Sequence, residues 1–205
     1  MAFVRNGYGQ VEPNQLSAQK TGQFYASLPL DTAVDVLQNG EFMFYDYADG
    51  KVTATQTLGK GAEPMLVFNE VKLYEEPYRT TYKDFAMIRV GDNYVTSKLA
   101  AAAYGDGAET KGASIAVHTE YPYRMDGIAP RMFKTNIGDI MTTNMVDLTG
   151  TYALGDLLGL KKSDANTLVL CPEASAEADI AMRWQVVKVY TMPDGQAGLK
   201  LQRVI

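Results

Sequence analysis

The sequence has very few of the side chains that most often perform catalysis or bind metals. Its 205 residues include one Cys and one His. A single Cys excludes an internal disulfide, so stability has to come from packing and assembly. One Cys and one His also cannot build the usual zinc sites within one chain, which leaves only a site shared between subunits. We therefore expect neither a cofactor nor a metal.

The sequence also lacks excess positive charge and long apolar runs. Its 19 Lys and Arg against 24 Asp and Glu give a formal charge of -5, so direct binding of nucleic acid is not expected. No apolar run approaches the roughly 20 residues that span a bilayer, and the opening MAFVRNGYGQVEPNQ lacks the apolar core of a secretion signal. We expect no membrane contact and a cytoplasm-like compartment.

Common catalytic motifs are missing as well. His118 lies in the expected strand SIAVHTEY and is interpreted as structural rather than as a catalytic base. The glycine-rich stretches at 58–64 and 104–112 lack nucleotide-binding spacing, and the Gly-x-Ser-x-Gly motif is absent. Cys171 ends the apolar run TLVLC and is interpreted as a buried hydrophobe. We predict that the protein is not an enzyme, although its 24 acids leave a glycosidase-type carboxylate pair open.

The pattern that is present is one of short strands between turn signals. FMFYDY at 42–47, followed by Ala48-Asp49-Gly50 and KVTATQT, predicts a hairpin. MRWQVVKVYTMPDGQAGLKLQRVI predicts a closing hairpin with Trp184, Val186, Lys188 and Tyr190 on one face. Strands are also predicted in MLVFNEVKLY and SIAVHTEY, and DFAMIRV and YVTSKL predict a second hairpin around Gly91-Asp92-Asn93. APRMFKTN and GDIMTTNMV are predicted as short strands or connecting extended pieces. Because no amphipathic helices alternate with these strands, the predicted fold is mainly β, with a β-barrel or β-sandwich body.

The first forty residues differ from the rest, being rich in Gln, Asn, Ser and Gly. Their aromatic and leucine side chains follow no fixed period, so the segment cannot build its own core. We predict an extended arm over residues 1–40 that becomes ordered on another surface, and a β-rich body over 41–205. Within the arm, DTAVDVLQNG predicts a short helix with Asp31 as N-cap and Gly40 just after its end, among at most one or two short helices.

Aromatic and arginine side chains are the candidates for partner contacts. Thirteen Tyr against seven Phe favours rings that pack on one side and hydrogen-bond on the other, although half-buried strand positions explain the bias equally well. YEEPYRTTYKDF and TEYPYRMDG place Tyr and Arg beside Pro in expected loops, where they could anchor a partner. The candidate partner-binding residues are Phe3, Tyr8, Leu16, Phe24, Tyr25, Tyr78, Arg79, Tyr121, Tyr123 and Arg124.

Four segments together resemble structural proteins encoded among the head genes of tailed bacteriophages. They are MAFVRNGYGQVEPNQLSAQKTGQFYASLP, VLQNGEFMFYDYADGKV, PRMFKTNIGDIMTTNMV and MRWQVVKVYTMPDGQAGLKLQRVI. The resemblance covers most of the chain but includes no diagnostic motif. It implies a capsid decoration, auxiliary or cement protein, a β-rich domain bound to the outer face of an expanded capsid. No catalytic or binding residues transfer with it.

We therefore expect a virion structural protein of the phage head, made in the host cytoplasm. Its expected partners are the major capsid protein and neighbouring copies of itself, and it would stabilise the shell by binding only the assembled form. A tail-tube or head-tail joining protein is the structural alternative. The alternative from another class is a glycan-binding or glycan-cleaving virion module that uses Tyr121, Tyr123 and a carboxylate pair.

Overall fold

The chain folds as a mainly β structure with almost no helix. The computed structural model describes residues 9–34, 36–55, 63–68, 87–89, 129–192 and 195–205. Its strands are β1 (Val11–Gln15), β2 (Val36–Gln38), β3 (Phe42–Asp46), β4 (Lys51–Thr53), β5 (Met65–Val67), β6 (Met87–Arg89), β7 (Met132–Phe133), β8 (Ile140–Thr143), β9 (Leu157–Lys162), β10 (Leu168–Pro172), β11 (Trp184–Thr191) and β12 (Ala197–Arg203). Its helical segments are α1 (Ser17–Lys20) and a 3-10 turn (Glu173–Ser175).

Most of these strands form one curled antiparallel sheet, a half-barrel. Neighbouring strands follow the order β1-β8-β12-β11-β9-β10-β3-β5-β7, and β4 pairs with β3 beside this path. The strands β2 and β6 form a separate pair. The prediction of a mainly β fold with a barrel-like body is confirmed, and the described residues include one short α-helix and one 3-10 turn.

One hydrophobic cluster fills the body and includes residues from both ends of the chain. Phe42 of β3 and Trp184 of β11 are fully buried, with ring centroids 6.0 Å apart. Leu16, Leu30 and Leu37, from the first forty residues, belong to the same cluster. Full burial of a side chain of this size stabilises a fold by roughly 1.5–3 kcal/mol. The N-terminal residues are therefore part of the core.

The described part of the segment predicted as an arm lies on the chain's own body. Val11 and Glu12 of β1 pair with Thr143 and Thr142 of β8, at one end of the main sheet. Tyr25 pairs with Met132 of β7, at the opposite end. The segment 11–25 therefore spans from one end of the curled sheet to the other. Its apolar residues show no period because the segment crosses the body instead of following one face.

The helix predicted over residues 31–40 is wrong. Of the described residues in that range, 36–38 form β2, which pairs with β6, and the others are turns or extended chain. The Asp31 carboxylate does accept a hydrogen bond from the Ala33 N–H at 3.0 Å, but this closes a turn and not a helix. Strand pairing outweighs the weak helical signal because Val34 and Val36 are β-branched and favour extended chain.

Two predicted hairpins are confirmed, and one of them contains a bulge. Gly50, with φ of 66°, turns the chain between β3 and β4. In the β11–β12 hairpin the register shifts between Val186 and Lys188. Because of this shift, the Val189 side chain lies on the same face as Val186, and the side chains of Lys188 and Tyr190 lie on the opposite face. The prediction that Lys188 and Tyr190 share the Trp184 face is therefore wrong.

Several other predictions lie partly or wholly outside the described residues. These are the hairpin of DFAMIRV and YVTSKL, of which the structure describes Met87–Arg89, the strand SIAVHTEY with His118, and the second half of MLVFNEVKLY. The segments APRMFKTN and GDIMTTNMV contain β7 and β8, as predicted. The run TLVLC consists of Thr167 and the first four residues of β10. The strand β9, LLGLKK, was not predicted.

Gly40 marks a close approach between the turn before β3 and the chain around β8. Its φ is 94°, and a Cβ there would lie 2.7 Å from both the Met145 Cβ and the Thr143 Oγ1. Gly50 shares the positive φ, at 66°, but has no atom within 4 Å of a Cβ position. Alanine at Gly50 would add backbone strain alone, whereas alanine at Gly40 would add both backbone strain and steric overlap.

We predict that Gly40→Ala lowers the free energy of unfolding by about 2–5 kcal/mol, the sum of left-handed strain and overpacking. Gly50→Ala, which adds strain alone, should cost about 1–2 kcal/mol. Urea unfolding of both variants followed by circular dichroism measures the difference. Equal losses in the two variants would contradict the close packing at Gly40.

Candidate functional site

The candidate interaction surface lies where the N-terminal segment crosses the end of the main sheet at β7. We call it the aromatic edge and define it by Phe24, Tyr25, Phe68, Arg131 and Phe133. The backbone of Tyr25 exchanges two hydrogen bonds of 2.9 Å with Met132 of β7. Because successive residues of extended chain point to opposite faces, this pairing directs Tyr25 inward and Phe24 outward.

The outward face of the aromatic edge is an arginine packed against phenylalanine rings. Phe24 is 48% exposed, yet the Arg131 Cζ lies 4.1 Å from its ring centroid and 5.5 Å from that of Phe133. The Phe24 and Phe133 centroids are 6.4 Å apart, and Phe68 lies 5.9 Å from Phe133. A planar guanidinium on an aromatic face is a favourable cation–π contact. Phe24 is thus exposed but held in place.

The inward face fixes the same segment through tyrosines. The Tyr25 ring packs edge-on against Tyr45, with centroids 5.3 Å apart. The Tyr45 hydroxyl accepts hydrogen bonds from the backbone N–H groups of Ser27 at 3.0 Å and Leu28 at 2.9 Å. Tyr47, 66% exposed, packs on the other side of Tyr45 at 5.1 Å. The aromatic edge is therefore rigid, which lowers the entropic cost of contact with a partner.

The structure brings together only two of the predicted partner-binding residues, Phe24 and Tyr25. Leu16 is 1% exposed and contributes to the core instead of to a surface. The others, which lie outside the described residues, are Phe3, Tyr8, Tyr78, Arg79, Tyr121, Tyr123 and Arg124. The sequence analysis missed Arg131 and Phe133, although their spacing of two in APRMFKTN places them on one face of an extended segment. Their pairing with residues 24–25 is a tertiary contact.

A polar cavity of about 180 Å³ lies between the β3–β4 hairpin and the turn after β9. Its described lining residues are Asp31, Ala33, Val34, Asp49, Lys51, Thr53, Ala54, Thr55, Lys162 and Asn166. Burial acts to raise the pKa of Asp31, but hydrogen bonds from Ala33 and Lys51 outweigh it, so this pKa is lowered. Asp31 is therefore ionised at neutral pH and unsuited to act as a general acid. The lining just named includes no aromatic ring for a sugar to stack on.

Cys171 lies in the middle of the core and not in a reactive site. It is fully buried in β10, and its thiol points to the Gly159 carbonyl oxygen at 3.7 Å. Burial raises the pKa of the Cys171 thiol to about 11. The interpretation of Cys171 as a buried hydrophobe is confirmed, because the reactive thiolate is scarcely populated at neutral pH.

We expect Cys171 to resist iodoacetamide in the native protein at mildly alkaline pH and to react fully in denaturing guanidinium chloride. Mass spectrometry of the intact chain gives the labelled fraction. Leu154→Cys, at a position 72% exposed, provides a thiol that should be labelled rapidly in the folded state. Equal labelling rates at Cys171 and at this added thiol would contradict the burial.

The strongest ion pair near Cys171 joins Asp147 to Lys161 of β9. The Lys161 Nζ lies 2.5 Å from Asp147 Oδ2, and the Thr149 N–H donates to Oδ1 at 3.1 Å. Burial acts to raise the pKa of Asp147, but these hydrogen bonds and the Lys161 charge lower it below its ordinary 3.8. The hydrogen bond to Asp147 raises the pKa of Lys161. The pair anchors the chain after β8 to β9.

A lowered pKa in the folded state means that the unfolded state binds more protons as the pH falls. Asp147 therefore stabilises the fold fully above its ordinary pKa of 3.8 and loses this contribution as pH falls through its lower folded value. Asp147→Asn should lower stability at neutral pH by about 1 kcal/mol and flatten the pH dependence in the acid range. Urea unfolding over a pH series measures both effects. An unchanged slope in Asp147→Asn would show that the pair does not couple to folding.

The described residues offer neither a metal site nor a membrane-spanning helix. The described part of the chain contains no group of three or more His, Cys, Asp or Glu side chains that could hold a metal ion. In that part, no helix has the length and hydrophobicity needed to cross a membrane. No family model matches the chain, and no curated protein or solved structure matches it either. A function therefore has to be argued from the geometry of its surfaces.

Proposed function

We propose that the protein is a structural component of a tailed-phage head, a decoration or auxiliary protein that binds the capsid surface through the aromatic edge. The observation that carries the proposal is Phe24, which is 48% exposed and yet packed against Arg131 at 4.1 Å. About half of the Phe24 surface is used in packing against the body, and the other half is available for contact with a partner. The sequence resemblance to phage head proteins supplies the class of partner.

The composition of the aromatic edge suits protein contact. Aromatic residues and arginine are enriched among the residues that dominate binding energy, especially where a rigid ring fills a pocket of the partner. Phe24 has its rotamers restricted by Arg131 and Phe133 before any partner arrives. Little further ordering is then needed on binding, so more of the contact energy appears as affinity.

In an assembled capsid, a small contact per copy is sufficient to stabilise the shell. A protein that binds only the assembled, expanded capsid shifts the equilibrium toward that form by mass action. A capsid lattice also presents many adjacent sites, so neighbouring copies gain from a high effective concentration. The aromatic edge need not bind tightly as a single site for the shell to be stabilised.

We assign the proposed capsid contact to the aromatic edge instead of to a free N-terminal arm. Residues 11–15 form β1 and Leu16 is buried, so deleting residues 2–29 would remove a strand and part of the core. Loss of binding after such a deletion would report unfolding as readily as loss of an interface. A point substitution at an exposed position is the sharper test.

We expect Phe24→Ala to bind matched empty expanded capsids at least about tenfold more weakly than the unchanged chain in co-sedimentation, as for a contact that dominates an interface. Leu154→Ala is the matched control, because it also truncates an exposed apolar side chain, 72% exposed, in the turn before β9. Leu154→Ala should keep the melting temperature of the unchanged chain, and Phe24→Ala, which loses the Arg131 contact, should lose only about 1 kcal/mol of stability and stay folded in the assay. Saturable binding in a fixed ratio to the shell protein, weakened only by Phe24→Ala, supports the proposal.

Two results would count against it. If the unchanged chain does not sediment with expanded capsids, the decoration function is wrong. If Phe24→Ala and Leu154→Ala bind as well as the unchanged chain, the aromatic edge is not the contact surface.

A further inference from the structure

Within the described residues, the edge of β11 that faces β9 has no strand partner over its second half. β11 pairs with β12 along its whole length, but with β9 only at Trp184 and Gln185. Val186 still exchanges backbone hydrogen bonds with Gly155 and Asp156. Beyond it, no described residue donates to or accepts from the β9 side of residues 188–191. In the part of the chain that the structure describes, the β11–β12 hairpin therefore extends past β9 with one edge unpaired.

The hydrogen-bonding groups on this edge belong to Val189 and Thr191. The Met192 N–H donates to the Gln196 carbonyl at 2.7 Å, so Met192 faces β12. Along an antiparallel strand, the backbone N–H and C=O groups of successive residues point alternately to the two neighbouring strands. The backbone groups of Tyr190 therefore also point toward β12, whereas those of Val189 and Thr191 point away from it. Both of these residues are exposed. An added strand would find a row of ready donors and acceptors.

The other edges of the main sheet are protected. β1 carries Pro13 and a register shift between Glu12 and Gln15, both of which hinder strand addition. The backbone of Tyr25 covers β7, and that of Leu30 pairs with β4. In the described part of the chain, residues 188–191 have neither a proline nor a covering segment. Among the described residues, no segment covers this edge, and only Lys188 and the register shift between Val186 and Lys188 act to limit strand addition there.

We propose that residues 188–191 form an interface for a second copy of this chain, which adds its own β11 edge antiparallel around a two-fold axis at Tyr190. A two-fold axis there sets Val189 of one copy opposite Thr191 of the other. Each such pair exchanges both of its hydrogen bonds, so every outward backbone group on the edge finds a partner. The proposal does not depend on the capsid-binding function.

The side chains make the edge complementary to itself. Tyr190 lies opposite Tyr190 of the second copy, in the close, non-hydrogen-bonded type of pair in which aromatic rings stabilise a sheet. Lys188 lies opposite Lys200 in its own hairpin. A third positive charge beside these two would be repelled, so a partner strand should place an uncharged side chain next to Lys188. In this register Lys188 meets Met192 of the second copy. The Lys188 Nζ, 5.7 Å from its own Tyr190 ring, then lies near both rings.

The predicted contact is weak in free solution. A pairing of so few residues buries far less than the roughly 1,200–2,000 Å² of a stable interface. The isolated chain should therefore show a concentration-dependent equilibrium between monomer and dimer. Pairing becomes favourable where copies are held close together, since the second contact is then effectively intramolecular.

A designed disulfide tests the register. The Cα atoms of a non-hydrogen-bonded pair lie about 4.5 Å apart, within the range that a disulfide bridges. Tyr190→Cys should therefore give a covalent dimer on oxidation of a concentrated sample, read on a non-reducing gel. Lys188→Cys is the matched control, since its two copies lie too far apart, and its dimer should be about tenfold scarcer or more. Buried Cys171 gives little background.

Val189→Pro tests the backbone pairing without changing the surface charge. Proline is tolerated where an edge N–H points outward, so the fold should persist while the donor is lost. Sedimentation equilibrium should show the dimer for the unchanged chain and only monomer for Val189→Pro. The proposal is overturned if the two Cys variants cross-link equally, if neither does, or if Val189→Pro self-associates like the unchanged chain. It is also overturned if the chain stays monomeric and Val189→Pro instead abolishes capsid binding, which would assign the edge to a capsid strand.

Discussion

The architecture depends on one short segment that is attached to both ends of the same sheet. Residues 11–15 pair with β8 at one end, and Tyr25 pairs with β7 at the other. Ten residues of extended chain reach at most about 36 Å, and fewer when they include the helix α1. The two ends of the sheet therefore have to lie near each other, which curls the sheet into a half-barrel. Buried Asp139 holds the middle of the segment by accepting hydrogen bonds from Ser17 N and Oγ, both at 3.0 Å.

The same attachment creates the candidate interaction surface. Because Tyr25 pairs with β7, its neighbour Phe24 is turned outward onto Arg131 and Phe133. The aromatic edge is thus a consequence of how the sheet is covered at that end. A surface made in this way is as rigid as the fold, in contrast to a disordered arm that would lose entropy on binding. The edge of β11 has a different origin: β9 starts at Leu157, which pairs with Gln185, so β9 does not extend alongside residues 188–191.

Both proposed contacts use surface and not reaction chemistry. The ionisable groups with shifted pKa values serve the fold: Asp147 is held by Lys161, Asp31 by Lys51 and Ala33, and Cys171 is protonated in the core. One contact would join the protein to a larger particle, and the other would join copies of it to one another. A lattice gains from having both, because each bound copy then raises the effective concentration of the next.

The sequence by itself determined the fold class, the β3–β4 and β11–β12 hairpins, and the burial of Cys171, because alternation, turn glycines and apolar runs are local signals. It also marked Phe24 and Tyr25, but not Arg131 and Phe133 beside them. Tertiary structure decided that the described N-terminal residues, among them Leu16, Leu30 and Leu37, join the core, and that residues 36–38 form a strand instead of part of a helix. It also decided that a bulge at Val187 turns Lys188 to the other face. The first two outcomes depend on which distant segments pair, β1 with β8 and β2 with β6, and such pairing leaves no period in either segment. The third depends on a register shift that the alternation of the sequence does not reveal.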